Sequence, residues 1–400
     1  MAQVFHRDRS TWLAYLLLAL YGYFLNSLGP ITPFLKDELK LSYTVSSLHF
    51  TAFAVGILLV GLCGHRLIRR VGRGRALWFG AFGITASVLG LVAGQSVMVT
   101  IGASFCMGSV GSLILAIVPS ALSDRHGGLR AVALSEANMI ASLVSTSAPL
   151  LVGWSARLPG GWRWALGTVA LAPFVMRLAF GRVTFPQPTS RLEDTASARR
   201  PLPGSFWAFW GALVLAVSVE FCMVFWSADY LETSLGMQKV HAAQAISLFL
   251  AGMIVGRLVG SRRVRRFSTR AVVIGSILVA STGFGMFWAA HTAVLGLVGL
   301  FVTGLGVASL YPLILSLAIG VAQDNTTRAS ARATLASGTA ILALPLVLGR
   351  LADMVGIRPA YGVVGVLLVG IFLTMLVTGD VFGRRPLRNL GSARLPDAKA

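Results

Sequence analysis

Twelve apolar runs follow one another along this 400-residue chain, near 12–34, 45–64, 76–94, 97–121, 131–153, 163–180, 206–228, 242–261, 271–290, 293–320, 331–349 and 360–379. A helix needs roughly 20 apolar residues to cross a hydrocarbon layer about 30 Å thick, so each run is long enough to span a bilayer. The runs are continuous, as from Ala271 to Ala290, whereas the strands of a membrane barrel alternate apolar and polar residues over about ten positions. The composition agrees, with 56% hydrophobic and 12% charged residues against roughly a quarter charged in soluble domains. These features predict an all-α integral membrane protein with twelve transmembrane helices. The first run continues past twenty residues without a small-residue cleavage site and is expected to remain as the first helix.

The formal net charge of +20 would suit a nucleic-acid partner only if the basic residues shared one exposed face. They lie instead in alternate short loops. One side holds Arg66, Arg69, Arg70, Arg73 and Arg75 after the second run and Arg262, Arg263, Arg265, Arg266 and Arg270 after the eighth. The other side has only Lys36, Lys40, Arg157, Arg163, Lys239, Arg350 and Arg358. The positive-inside rule therefore predicts a multi-pass protein of the cell (inner) membrane with both termini cytoplasmic, in contact with lipid and with no nucleic acid. The three cysteines, Cys63, Cys106 and Cys222, sit inside apolar runs without metal-ligand spacing, so neither a disulfide framework nor a metal is expected.

The longest connection, residues 181–205, mixes prolines, Ser, Thr and charges and reads as a cytoplasmic linker. It divides the chain into an N-terminal six-helix bundle (1–180), a C-terminal bundle (206–380) and a cytoplasmic tail (381–400). An internal repeat at a constant offset of 196 residues supports the division. Phe53, Gly56, Phe105, Gly108, Pro149 and Gly153 fall on Phe249, Gly252, Phe301, Gly304, Pro345 and Gly349, and the loop arginines Arg66, Arg69 and Arg70 fall on Arg262, Arg265 and Arg266. Parallel six-helix repeats place a solute site between the halves.

The loop after the second run, His65 to Arg75, resembles the G-x-L-x-D-R-x-G-R-R/K motif of the major facilitator superfamily at Leu67, Arg70, Gly72 and Arg73. That resemblance covers nearly the whole chain and implies two pseudo-symmetric six-helix bundles and secondary transport by alternating access. Two positions depart from the pattern: His65 stands at the leading glycine, and Arg69 stands at the acid that in the family helps latch the halves. The fourth run has no R-x-x-x-G pattern. In the fifth, Pro149 and Gly153 resemble only the end of the family's antiporter motif, so uptake and efflux by drug/H+ exchange both stay open.

Of fourteen acids, only Glu136 and Glu220 fall inside the runs. A carboxylate in hydrocarbon normally faces a cavity, pairs with a cation or stays protonated. Glu220 lies roughly 21 Å into the seventh helix at 1.5 Å per residue, a depth that suits a cavity and a role in binding solute, cation or transported proton; a structural hydrogen bond is the plainer alternative. Glu136 begins the fifth helix, where the helix dipole alone would favour it. Because the family places helices five and eight together, the resemblance also implies a gate between Glu136 and Arg257. Asn26, Trp226, Asp229 and Tyr230 are expected solute contacts, with Asn138 and Tyr311 as further ones. Glu220 and Asp229 would favour cationic or hydroxyl-rich solutes. Trp162, Trp164, Trp207 and Trp210 read as interfacial anchors. Pro30, Pro33, Pro149, Pro312 and Pro345 interrupt apolar helices, and Gly108/Gly111 and Gly304/Gly306 read as close packing points.

No HExxH, GxSxG or P-loop spacing occurs, so no enzyme is expected. The reading is a monomeric, proton-coupled transporter of a small organic solute without a cofactor, the rival being a non-transporting solute sensor of the same fold.

Overall fold

The computed structural model describes residues 5–185, 202–264, 266–322 and 326–378. Its helices are α1 (Arg9–Leu39), α2 (Tyr43–Val71), α3 (Arg73–Ala93), α4 (Val97–His126), α5 (Arg130–Ser155), α6 (Arg163–Val169), α7 (Ala172–Phe180), α8 (Gly204–Leu235), α9 (Lys239–Arg263), α10 (Thr269–Trp288), α11 (Ala293–Val307), α12 (Leu310–Ala322), α13 (Thr326–Val355), α14 (Ile357–Ala360) and α15 (Gly362–Val377). No strand occurs among the described residues. Side-chain caps open several helices: Asp8, Ser42, Ser96, Ser268 and Thr292 accept from backbone amides of the first turn of α1, α2, α4, α10 and α11.

Eleven described stretches are long and apolar enough to cross a bilayer. One of them, Val97–Ser155, contains both α4 and α5, which reverse at a 3-10 turn where Gly127 adopts φ 48°. The described chain thus makes twelve crossings, with α6–α7, α11–α12 and α14–α15 each forming one broken span. We call the face where α1 begins and α15 ends the near face, and its opposite the far face. The first six crossings form one bundle and the last six the other. Most of the expected linker (186–201) and the tail from 379 lie outside the described residues.

The repeat is the same helix contact made twice. A β-carbon on Gly108 would overlap the carbonyl oxygen of Phe53, and one on Gly304 would overlap that of Phe249. Reciprocally, Gly56 packs on the Phe105 carbonyl and Gly252 on that of Phe301. Hydrocarbon gives no hydrophobic drive for helices to associate, so small residues that let backbones approach supply the packing energy. The two halves meet along equivalent seams as well. Gly153 of α5 packs against the start of α9, and Gly349 of α13 against the start of α2.

Helices α1, α5 and α13 run through Pro30, Pro33, Pro149 and Pro345 without a break, whereas the tenth crossing breaks at 308–309, just before Pro312. Pro345 leaves carbonyls of the preceding turn without their usual donor, and the Thr51 hydroxyl of α2 donates to the Leu342 carbonyl at 3.3 Å. Trp162 is buried, donating to Glu38 at 3.0 Å, rather than anchored in an interface; Trp164 and Trp207 are exposed as expected.

Gly108→Val and Gly304→Val should each destabilise the protein by about 1–3 kcal/mol through overpacking, read as a lower melting temperature in detergent. Gly275→Ala, where nothing lies near the added atom, should leave it unchanged.

Candidate functional site between the two halves

The two ends of the seam between the halves are built differently. At the far face, charged groups cross it. Lys36 of α1 forms an ion pair with Asp229 of α8, and Asp37 of α1 with Lys239 of α9. Asp229 is fully buried and Lys36 partly so, with its ammonium 4.1 Å from the Tyr43 ring centroid. Both oxygens of Asp353, at the end of α13, accept from the Tyr43 and Thr44 amides at 2.8 Å. A carboxylate from one half thereby caps the positive end of a helix in the other. Beneath these charges Phe50 stacks on Phe225, ring centroids 3.9 Å apart, and Gly29 of α1 lies directly on the Val224 carbonyl of α8.

Toward the near face the ion pairs among the described residues stay within the N-terminal half. Arg7 clasps Glu136 through Nε at 2.8 Å and Nη2 at 2.6 Å, and the Tyr15 hydroxyl donates to the same carboxylate at 3.2 Å. Arg125 pairs with Asp8. Partial burial works against the Asp8 carboxylate, but donors from Thr11, Ser10 and Arg125 hold its pKa well below the ordinary value. Between α5 and α9 the seam opens into a cavity of ≈ 220 Å³, lined by Ser135, Asn138, Met139 and Ser142 on one side and Ile254, Arg257, Leu258 and Ser261 on the other. The Arg257 guanidinium donates to the Ser142 hydroxyl at 2.9 Å. Its charge is the one that acts on Glu220, which is half-buried on α8 and has no direct hydrogen bond or ion pair among the described residues.

The expected residues therefore separate into groups. Asn138 and Arg257 line the cavity, and Glu220 lies within reach of the Arg257 field. Glu136 and Arg257 are not brought together. Glu136 points from α5 toward α1, where Arg7 has taken it, and the inter-half partner of Arg257 is Ser142. Asp229 and Trp226 belong to the far-face closure rather than to an open entrance. The Trp226 indole packs on Phe50 and donates to the Pro345 carbonyl at 3.1 Å, an oxygen that Ser47 of the other half also reaches at 3.3 Å. Tyr230 is buried within the C-terminal half, bonded to the Trp288 carbonyl at 2.8 Å and packed on Phe287 and Tyr361. Asn26 donates to the Gly22 carbonyl of its own helix at 2.9 Å, and Tyr311 is half-buried on α12.

In the loop motif, Gly72 has φ 91°, the left-handed side of backbone space that lets α2 pass directly into α3. Buried Arg73 reaches Asp124 at the end of α4 at 2.6 Å, while Leu67 and Arg70 are exposed. The sequence reading missed Lys36, Arg7, Asp124, Ser142 and Asp353. For Lys36 a signal existed: at the 196-residue offset Pro33 falls on Asp229, so Lys36 lies within about one helical turn of the depth of Asp229 in the equivalent helix.

The family model for the Major Facilitator Superfamily matches residues 12–331 and again 208–396. A glucose/galactose transporter of Brucella abortus is 26% identical over 379 residues, 86% of this chain and 88% of the relative. An uncharacterized MFS-type transporter of Yersinia pestis is 27% identical over 150 residues, so the match spans only 39% of that relative. Among solved structures, a bacterial homolog of the human lysosomal transporter Spinster, in an inward-facing and occupied conformation, superposes with TM-score 0.79 over 95% of this chain and 99% of that one at 14% identity, a likeness of fold.

Lys36→Met would leave the buried Asp229 carboxylate unpaired, at a cost of about 3–5 kcal/mol to the closed far face. In a background lacking the exposed Cys63 and Cys106, a cysteine at the buried Phe50 position should then react faster with maleimide than in the Lys36 protein. Equal reactivity would show that the pair does not hold this face shut.

Proposed function

The chain belongs to the Major Facilitator Superfamily, and on that premise we propose that it is a secondary transporter moving a small organic solute by alternating access, with protons as the driving ion. The observation that carries this reading is the asymmetry of the seam. Among the described residues, every ion pair between the halves lies at the far face, while the polar cavity lies toward the near face. Two bundles held together at one end and parted by a cavity toward the other have the form of one half-cycle of a rocking mechanism. The basic loops lie on the near face, so the positive-inside rule makes that face cytoplasmic and this conformation inward-open, in the inner membrane of a bacterium.

Opening the other way requires breaking Lys36–Asp229 and Asp37–Lys239 while closing the α5–α9 cavity around Arg257. Glu220 is the proposed proton carrier. It is the acid deep in α8 that lacks a direct partner among the described residues, and an ionised carboxylate cut off from water is expensive in hydrocarbon. Protonation removes that cost before occlusion and so ties proton binding to the conformational step.

Uptake or release of labelled solute by proteoliposomes under an imposed pH gradient tests the reading and gives the direction of transport. Glu220→Gln should lose gradient-driven accumulation while retaining exchange of solute at equal pH. A variant that accumulates solute as the parent protein does at every pH would remove Glu220 from the coupling step.

A further inference from the structure

We propose that the α5–α9 cavity is a binding site for a small organic anion, a carboxylate-bearing solute, with Arg257 as its anchor and Ser142, Asn138, Ser135 and Ser261 as the surrounding hydrogen-bonding groups. The inference deepens the transporter reading and rests on it only for the statement that the bound anion is carried.

Three charged side chains on the C-terminal side of the seam were singled out, Glu220 and Asp229 as solute contacts and Arg257 as a gate, and the structure removes Asp229. Asp229 is buried in its pair with Lys36, so its charge is spent and offers nothing to a cationic solute in this conformation. Arg257 is the opposite case. Its side chain is exposed to the cavity, its one direct partner among the described residues is the neutral hydroxyl of Ser142, and no carboxylate pairs with it there. Glu220 makes no hydrogen bond or ion pair with it among the described residues. Glu136, the other intramembrane acid, is held by Arg7 on a different face of α5.

A guanidinium carries five donors in a planar fork that matches a carboxylate two-to-two, and one hydroxyl occupies a single donor. An arginine placed inside a membrane without a paired acid is costly, and such residues mark the path of a substrate. The rest of the lining fits the same ligand. Ser135 and Ser261 carry hydroxyls that can turn to donate, and Asn138 keeps its amide oxygen and one amide hydrogen after its Nδ2 has bonded the Leu134 carbonyl. Met139, Ile254 and Leu258 supply an apolar floor for the carbon part of the ligand. At ≈ 220 Å³ the cavity is smaller than the roughly 300–1,000 Å³ pockets that take drug-sized molecules. That size suits a metabolite of a few carbons.

The test is binding to the purified full-length protein in detergent, by titration calorimetry and ligand-induced thermal shift. The probes are L-lactate, pyruvate, succinate and benzoate, set against the neutral lactamide, glucose and galactose. At least one carboxylate should bind where the neutral probes do not. Arg257→Gln should weaken it by about tenfold or more, the scale of a lost charge-assisted hydrogen bond. Arg257→Lys should lose less than Arg257→Gln, and Ser142→Ala should weaken the same carboxylate by a few fold. Because Arg257 is exposed, the ligand-free melting temperature should not move; if Arg257→Gln fails to fold, Ser142→Ala and the carboxylate–amide comparison decide. The proposal is overturned if no carboxylate of the set binds, if Arg257→Gln binds it as tightly as the parent, or if a neutral sugar binds better. Carboxylate binding without flux in proteoliposomes would overturn the transporter reading and leave the anion site standing. Flux of glucose indifferent to Arg257→Gln would do the reverse.

Discussion

Hydrocarbon offers no partner to a polar group, and this absence decides where the charges of the chain are allowed to be. Backbone groups are satisfied inside helices, and side-chain hydroxyls bond back to their own helix, as Ser27, Thr32 and Ser218 do. The remaining charges must be paired or face water. At the far face they are paired across the halves; toward the near face Glu136 is paired within one half, and Arg257 faces the cavity. The same requirement therefore produces a closed end and an open one.

The Lys36–Asp229 pair shows why such a closure can be stable and still reversible. Breaking a buried pair by removing one member costs several kcal/mol, yet the intact pair contributes little net stability because both ions have given up water. Asp229 keeps one buried oxygen without a hydrogen-bond partner among the described residues, which lowers that net contribution further. The pair thus specifies which ends meet without trapping the molecule there. The shared glycines work on another scale. Gly108 on Phe53 and Gly304 on Phe249 fix helices against one another within each half.

The parts of the fold that were legible in the sequence are those set by a single long-range constraint. The thickness of the layer sets run length, and the twelve crossings follow; a duplicated helix contact leaves glycines and phenylalanines at one offset, and the paired packing of Gly108 and Gly304 follows. Partners across the seam depend on which face of a helix looks where. Glu136 and Ser142 are six residues apart on α5, about 240° around the helix, so an acid chosen for its depth met α1 while a serine of no special pattern met Arg257. Arg7, which captures Glu136, lies in the short polar segment before α1, where periodicity carries no signal. Pro312 shows the same limit for the backbone. Proline alone does not say which helices break, because Thr51 of a neighbouring helix supplies a donor near Pro345 and α13 runs on.

The central claim is that transport requires the far face to part. Cysteines placed at Asp37 and Lys239, bridged by a short reducible thiol-specific crosslinker in a background without Cys63 and Cys106, test it most directly. The account predicts that solute flux in proteoliposomes stops when the bridge is formed and returns when it is reduced. Flux at the unbridged rate with the crosslink intact would contradict it.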